Sequence, residues 1–383
     1  MSSGNLLLWE SPEAGSIAAR VAIAGDFLPA GRLTFPEGQN WREMTANLSP
    51  CFVDVAVSFV NLEGTLDTGD LHPRPICGLG QAISAPVESL DYLQSIRAQA
   101  VSIANNHIYD FHSAGVSRTR NAIIQRGMIA LGAGHTLESA PEVFVWHGPG
   151  NIHVGFWAAA RATSDPASRK SPGVEPATIN RATQTLELME KHDARFRVAL
   201  LHAGCMRTNR PDPEDVELMN SIADLGFNVV AASHSHFISG AKLIPRESGQ
   251  PSFCFYGLGS LVSGLVDSPL EKEGLVVVAG LDANGDLIRI EVRPVLLNQN
   301  GFGESPPSKA KRVILRRFRL LCNEIANGSY RREYYRDTSR GLMRLYLRDA
   351  QAAFRQGGIA GLVRKAGRMR MRHLRKLAHK VIG

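Results

Sequence analysis

Nine short apolar runs recur between residues 20 and 256, with helix-type stretches separating several of them. They are residues 20–24, 55–60, 100–104, 128–131, 143–146, 153–158, 197–201, 228–232 and 252–256. Most are continuously apolar, as in strands covered on both faces. Residues 86–97 set Val87, Leu90, Leu93 and Ile96 on one helical face, and residues 178–191 and 213–225 repeat the pattern. Asp212 or Pro213 supplies a start signal for the last of these. Repeated strand–helix–strand order predicts an α/β sheet. Residues 275–281, the turn Asp282-Ala283-Asn284-Gly285 and residues 287–295 predict a hairpin, whose four-residue connection leaves the register open. Residues 161–176 and 298–308 read as loops rich in Ser, Pro, Gly or charge. The second divides a main domain at 19–297, preceded by a tail at 1–18, from a C-terminal extension at 309–383.

The chain has 383 residues, 44% of them hydrophobic, enough to bury one large core or a core plus an appendage. Its 36 Gly and 20 Pro exclude a coiled coil. No apolar run approaches the ~18 residues of a membrane span. Residues 6–9 are too short for a signal-peptide core and follow no basic residue. The expectation is a cytoplasmic protein. Five cysteines (Cys51, Cys77, Cys205, Cys254, Cys322), odd in number and without a C-x-x-C, read as reduced thiols.

The net charge of +7 hides a split. Residues 309–383 carry 21 Lys and Arg against 4 Asp and Glu, leaving 22 basic and 32 acidic groups in residues 1–308. An acidic body therefore bears a basic helical extension. Near its end Ile359, Leu362, Val363, Ala366, Leu374, Leu377 and Val381 fall close to one face, with Arg364, Lys365, Arg368, Arg372, Arg375 and Lys376 around the rest. Such a stripe suits the surface of an anionic membrane, at its inner face for a cytoplasmic protein; equally, it suits packing on the main domain. Nucleic acid ranks behind both, because nothing matches a base-reading module. The oligomeric state is open.

Histidine and acidic residues gather where the predicted strands end. Asp26 follows the first strand, Glu63 the second, Asn105-Asn106-His107 the third, with Asp110 three residues on. His202 ends the strand at 197–201, and Ser233-His234-Ser235-His236-Phe237 follows that at 228–232. Ligands at neighbouring strand ends converge on one crevice. Imidazole, carboxylate and amide oxygen together suit one or two divalent ions, Mn, Fe or Zn rather than Ca. In an extended segment His234 and His236 point the same way. Cys205 reads as a small apolar residue rather than a thiolate ligand. His135, His147 and His153 lack matching partners and read as structural. Gly257-Leu258-Gly259 reads as a close-packed turn.

The order of these motifs resembles the bacterial capsule-synthesis CapA family (poly-γ-glutamate synthesis proteins), a branch of the calcineurin-like metallophosphoesterase superfamily. Gly25-Asp26, Asn61-Leu62-Glu63 and Ala104-Asn105-Asn106-His107 look like its Gly-Asp, Asn-Leu-Glu and Ala-Asn-Asn-His motifs, the last backed by Asp110 and Thr119. Gly132-Ala133-Gly134 followed by Ala140 matches a further turn. His202-Ala203-Gly204 stands for His-Trp-Gly, Ala232-Ser233-His234-Ser235-His236 for Gly-x-His-Pro-His, and Tyr256-Gly257-Leu258-Gly259-Ser260 for Tyr-Ser-Leu-Gly-Asn. The likeness covers roughly residues 18–295.

The resemblance implies a sandwich of two β-sheets flanked by helices, with metals at one edge. One metal would take Asp26, Glu63 and His236; the other would share Glu63 and add Asn106, His202 and His234. His107 would be the acid that protonates a leaving oxygen, oriented by Asp110. Position 28, histidine in the superfamily's Asp-x-His motif, is Leu here, so the first ion is expected to bind more weakly. Ala203 and Met206 replace the family's Trp and Glu, which alters the pocket lining.

Three readings of function follow. The first is metal-dependent hydrolysis of a phosphoester or a γ-glutamyl/peptide amide, on a small-molecule, peptide or polymer substrate, in capsule, exopolymer or cell-envelope metabolism. The second is metal-assisted peptide epimerisation on the same scaffold. The third is a non-catalytic, membrane-tethered assembly factor.

Overall fold

In the computed structural model, residues 5–340 (except 36, 75–81, 140, 162–164, 207 and 247–249) and residue 351 are described, and the apolar runs form two stacked sheets. The chain first lays down β1 (Leu6–Glu10), β2 (Ala19–Gly31), β3 (Val57–Leu62), β4 (Ala98–Ser102) and β5 (Ile129–Leu131). It then builds the second sheet from β6 (Phe144–His147), β7 (His153–Ala160), β8 (Phe196–Ala203), β9 (Val229–His234), β10 (Ala241–Ile244) and β11 (Ser252–Phe255). Finally β12 (Ser260–Gly264), β13 (Glu273–Leu281) and β14 (Leu287–Leu297) return to the first sheet. The strand orders are β1-β14-β13-β2-β3-β4-β5, with β12 also on β2, and β10-β11-β9-β8-β7-β6. The expected α/β sandwich of two sheets flanked by helices is the fold observed.

Period-two geometry explains why the runs are apolar throughout. Val154, Phe156 and Ala158 of β7 face the first sheet, where Phe156 meets Phe59 edge-on at 5.2 Å. Trp157 and Ala159 face outward into a second core, where Trp157 stacks on Phe227 at 5.7 Å. That outer core is roofed by α3 (Ile179–Lys191) and α4 (Pro213–Leu225). Thr178 caps α3 by accepting from Arg181 N, and Asp212 caps α4 by accepting from Glu214 N, each cap contributing about 1 kcal/mol. On the first sheet lie α1 (Leu90–Ser95) and α2 (His112–Gln125). α1 is shorter than the periodicity predicts: a 3-10 turn at Val87–Ser89 precedes it and Arg97, at φ 58°, closes it.

The hairpin register is settled as Leu281 opposite Leu287 and Gly274 opposite Val295. The predicted loops each hold a short strand, Gly173–Val174 against Ala133–His135 and Gly303–Glu304 against β14. The sequence reading gives no strand at β1, β10 or β12.

Part of the basic extension is folded. α5 (Ser308–Ala326) packs by Ile314, Leu315, Phe318, Leu321 and Ile325, with Phe318 stacked on Phe255 of β11. Its backbone comes so close to Gly240 that a Cβ there would lie 2.6 Å from the Leu321 carbonyl carbon. Residues 330–340 are helical again. Together the two helices hold the segment after β8: Asp337 accepts from Thr208 Oγ1 at 3.0 Å, Glu324 accepts twice from Arg210 at 2.9 Å, and the Tyr334 hydroxyl donates to Asp212. The amphipathic stripe read from Ile359 to Val381 lies outside the described residues, as do Cys77 and Ala140.

Candidate metal centre

The centre forms where the C-terminal ends of parallel strands from both sheets meet. Asp26 sits within β2 at a bulge: the register against β3 slips between Ala24 and Asp26, which re-aims the side chain. Gly25 is required beside it, because a Cβ there would lie 2.0 Å from the Gly259 carbonyl oxygen. Gly259 itself, at φ 67°, accepts through that oxygen from Asp26 N at 3.0 Å, as the close-packed turn reading expects. Glu63 follows β3 directly, Asn106 and His107 lie in the turn after β4, His202 is the penultimate residue of β8, and His234 ends β9.

The structure brings all six predicted ligand residues together. Glu63, His202 and His234 offer donor atoms within 4.8 Å of one another, and so do Asp26, Glu63 and His236. His202 Nε2 lies 2.7 Å from Asn106 Oδ1 and 3.9 Å from Glu63 Oε1, while His236 lies 3.1 Å from Asp26 Oδ2 and 3.7 Å from Glu63 Oε2. Leu28 is buried. Cys205, His135, His147 and His153 belong to neither group.

One expectation fails. His234 and His236 do not share a direction: φ is 98° at His234 and 59° at His236, so the segment turns instead of running extended. His234 joins Glu63 and His202, and His236 joins Asp26 and Glu63. The left-handed backbone at both residues, strained for a side chain with a Cβ, is what lets one short loop feed two groups.

Sequence reasoning assigned no role to Asn61, whose amide donates to Asp26 Oδ1 at 2.8 Å and lies 3.4 Å from His202 Nδ1. Its spacing of two from Glu63, the same-face spacing of a strand, was the available signal. Asn105 is a clasp: it donates to Leu62 O at 2.8 Å and accepts from His107 N at 2.9 Å, tying the β3 and β4 ends together.

Burial raises the Glu63 carboxyl above its ordinary range, against the lowering pull of His236. Burial also lowers His202 and His234, assisted by the neighbouring histidines, which favours the neutral form of both rings, the form that can ligate a cation. His236 goes the other way: burial opposes its charge, but Glu63 and Asp26 overcome it. Asp26 stays low against burial because of His236, His234 N and Asn61. Among the described residues, Glu63 Oε2, His234 Nδ1 and Asn61 Oδ1 are buried without a hydrogen-bond partner. Unpaired buried acceptors are costly, and a cation beside Glu63 and His234, which share one donor group, would satisfy theirs. The donor set therefore fits a divalent ion.

At the mouth, His107 Nδ1 lies 2.7 Å from Asp110 Oδ2, which also accepts from Ile83 N at 2.9 Å. Asp110 is buried, whereas the His107 side chain is 17% exposed, so this ring alone of the pair reaches the solvent side. Thr119, behind them, bonds the Gly115 and Leu66 backbones.

His135, for which the sequence showed no partner, lies 2.6 Å from Glu175 and 3.5 Å from Glu142, with Arg181 on Glu175 and Arg120 on Glu142. Burial opposes its charge, but Glu142 and Glu175 push its pKa up to about 9. A raised histidine stabilises fully below its unfolded value of about 6.5 and loses that contribution as pH climbs through about 9. Melting between these pH values should show a loss of about 1–2 kcal/mol, discounted for screening at Glu142, and His135→Gln should flatten it.

A family model described as "Bacterial capsule synthesis protein PGA_cap" matches residues 20–265. A Mycobacterium tuberculosis protein named "Probable polyglutamine synthesis accessory protein" is 28% identical over 291 residues, covering 70% of this chain and 73% of its own. The "PGA biosynthesis protein CapA" of Bacillus subtilis is 24% identical over 199 residues, 49% of this chain and 51% of its own. Among solved structures, a 5′-nucleotidase precursor from Thermus thermophilus aligns with TM-score 0.46 and 14% identity over 78% of this chain, which spans 58% of that one. With the family model matching more than half of the chain, the protein belongs to the bacterial capsule synthesis PGA_cap family.

Proposed function

We propose that the protein is a divalent-metal-dependent hydrolase of a phosphoester or a γ-glutamyl/peptide amide, acting in capsule, exopolymer or cell-envelope metabolism. The observation that carries this reading is two donor groups sharing one buried carboxylate, Glu63. The relatives named for polyglutamine and PGA synthesis support the setting.

Asp26, Glu63 and His236 would hold one ion, and Glu63, Asn106, His202 and His234 the other. When bound, such ions acidify water and neutralise charge developing on a phosphoryl or acyl oxygen. The chain's own residues do the rest. Asn61 and His234 N orient the Asp26 carboxylate through hydrogen bonds of 2.8 to 3.2 Å. Asp110 fixes the His107 ring through Nδ1, which leaves Nε2 to deliver a proton to the departing oxygen or nitrogen.

The test uses the full chain with p-nitrophenyl phosphate, a phosphodiester and a γ-glutamyl anilide. Turnover of at least one is expected to vanish after chelation and return with Mn, Fe or Zn. Equal turnover by chelated protein would overturn the reading.

A further inference from the structure

The folded face of α5 accounts for its apolar residues; its other face has no role in the main domain. Lys309, Arg312, Val313, Arg316, Arg319 and Leu320 are all exposed, and their spacing sets them within one helical arc. Val313 is 49% and Leu320 56% exposed. No acidic residue lies in this arc, and among the described residues none of its four cations has an ion-pair partner, whereas Arg317, at the arc's edge, is held by Glu273. From Lys309 to Arg319 the row is about 15 Å long.

We propose that this face of α5 docks on an anionic lipid surface. Two features select a bilayer over a soluble polyanion. Val313 and Leu320, seven residues apart, stand between cations on one side, where a membrane interface offers an acyl phase for apolar side chains and a polyanion offers none. The face also carries no aromatic ring on which a base could stack. The rest of the molecule reinforces the choice of face. Residues 1–308 hold 32 acidic against 22 basic groups, so an anionic surface repels the body and attracts this helix. Among the described residues no helix is long and apolar enough to cross a membrane, so the contact is peripheral.

The experiment measures flotation of the full chain with phosphatidylcholine vesicles containing about a quarter phosphatidylserine. Wild type is expected to bind, and to release as salt rises. The variant K309Q/R312Q/R316Q/R319Q is expected to partition about a hundred-fold less or weaker still, with unchanged melting. V313S/L320S is expected to lose about ten-fold on vesicles and nothing on soluble polyglutamate or DNA. Wild-type partitioning by the four-glutamine variant overturns the proposal, because binding then lies elsewhere in the chain. So does wild type that holds polyglutamate or DNA but not vesicles.

Discussion

On the proposed hydrolytic reading, replacing His107 with alanine is expected to lower kcat by about 10²–10⁴-fold and to leave the metal content of the purified protein unchanged. The ring lies in neither donor group, and its 2.7 Å contact runs to Asp110 rather than to Glu63 or Asp26. Asp110→Asn keeps a hydrogen-bonding side chain but no longer favours a proton on Nδ1, so its loss should be smaller than that of alanine at 107. Elemental analysis beside steady-state kinetics checks both. Loss of metal in the His107 variant would place the ring among the ligands and remove it as the proton donor.

His234→Ala and Glu63→Gln should separate the two donor groups by stoichiometry. His234 serves only the group with Glu63 and His202, so its loss empties one position and leaves Asp26, Glu63 and His236 in place. Glu63 serves both, and its neutral isostere should empty both. Outer-sphere changes already cost about 10–100-fold, so activity in either variant is expected to fall at least about a hundred-fold. Bound metal per chain, by mass spectrometry of the intact protein or by elemental analysis, gives the count. Equal metal loss in the two variants would mean that the groups do not fill independently.

The centre was legible because most of its parts sit where a continuous apolar run stops, although Asp26, read as following the first strand, lies within β2, which runs on past its bulge to Gly31. Asp26, Glu63, Asn106, His202 and His234 each follow or close such a run. What failed was local backbone shape. The direction of His236 depends on left-handed φ values at 234 and 236, which no propensity for Ser or His announces. The bulge that turns Asp26 is likewise a pairing property of two strands, not of either sequence alone. In the fold, β7, β8 and β9 were visible because both their faces are apolar. β1, at the sheet edge, was not: Leu7 and Trp9 pair with Glu291 and Ile290 across a slipped register, and Leu7 is 43% exposed. β12 escaped notice because only Leu261 and Val262 in it are apolar, flanked by Ser260, Ser263 and a Gly264 that approaches the β2 backbone too closely for a Cβ.

The family match ends at residue 265, yet the segments that follow three of the candidate ligands lean on helices that begin at Ser308. Gly240, four residues past His236, abuts the α5 backbone, and Thr208, Arg210 and Asp212, beyond His202, are tied to Asp337, Glu324 and Tyr334. A shortened expression fragment cut at the homology boundary would therefore retain every candidate ligand and still lack the scaffolding that keeps them in place. Transplanting this centre onto a relative by grafting motifs alone would meet the same obstacle. The working unit here is the motif set together with its C-terminal brace.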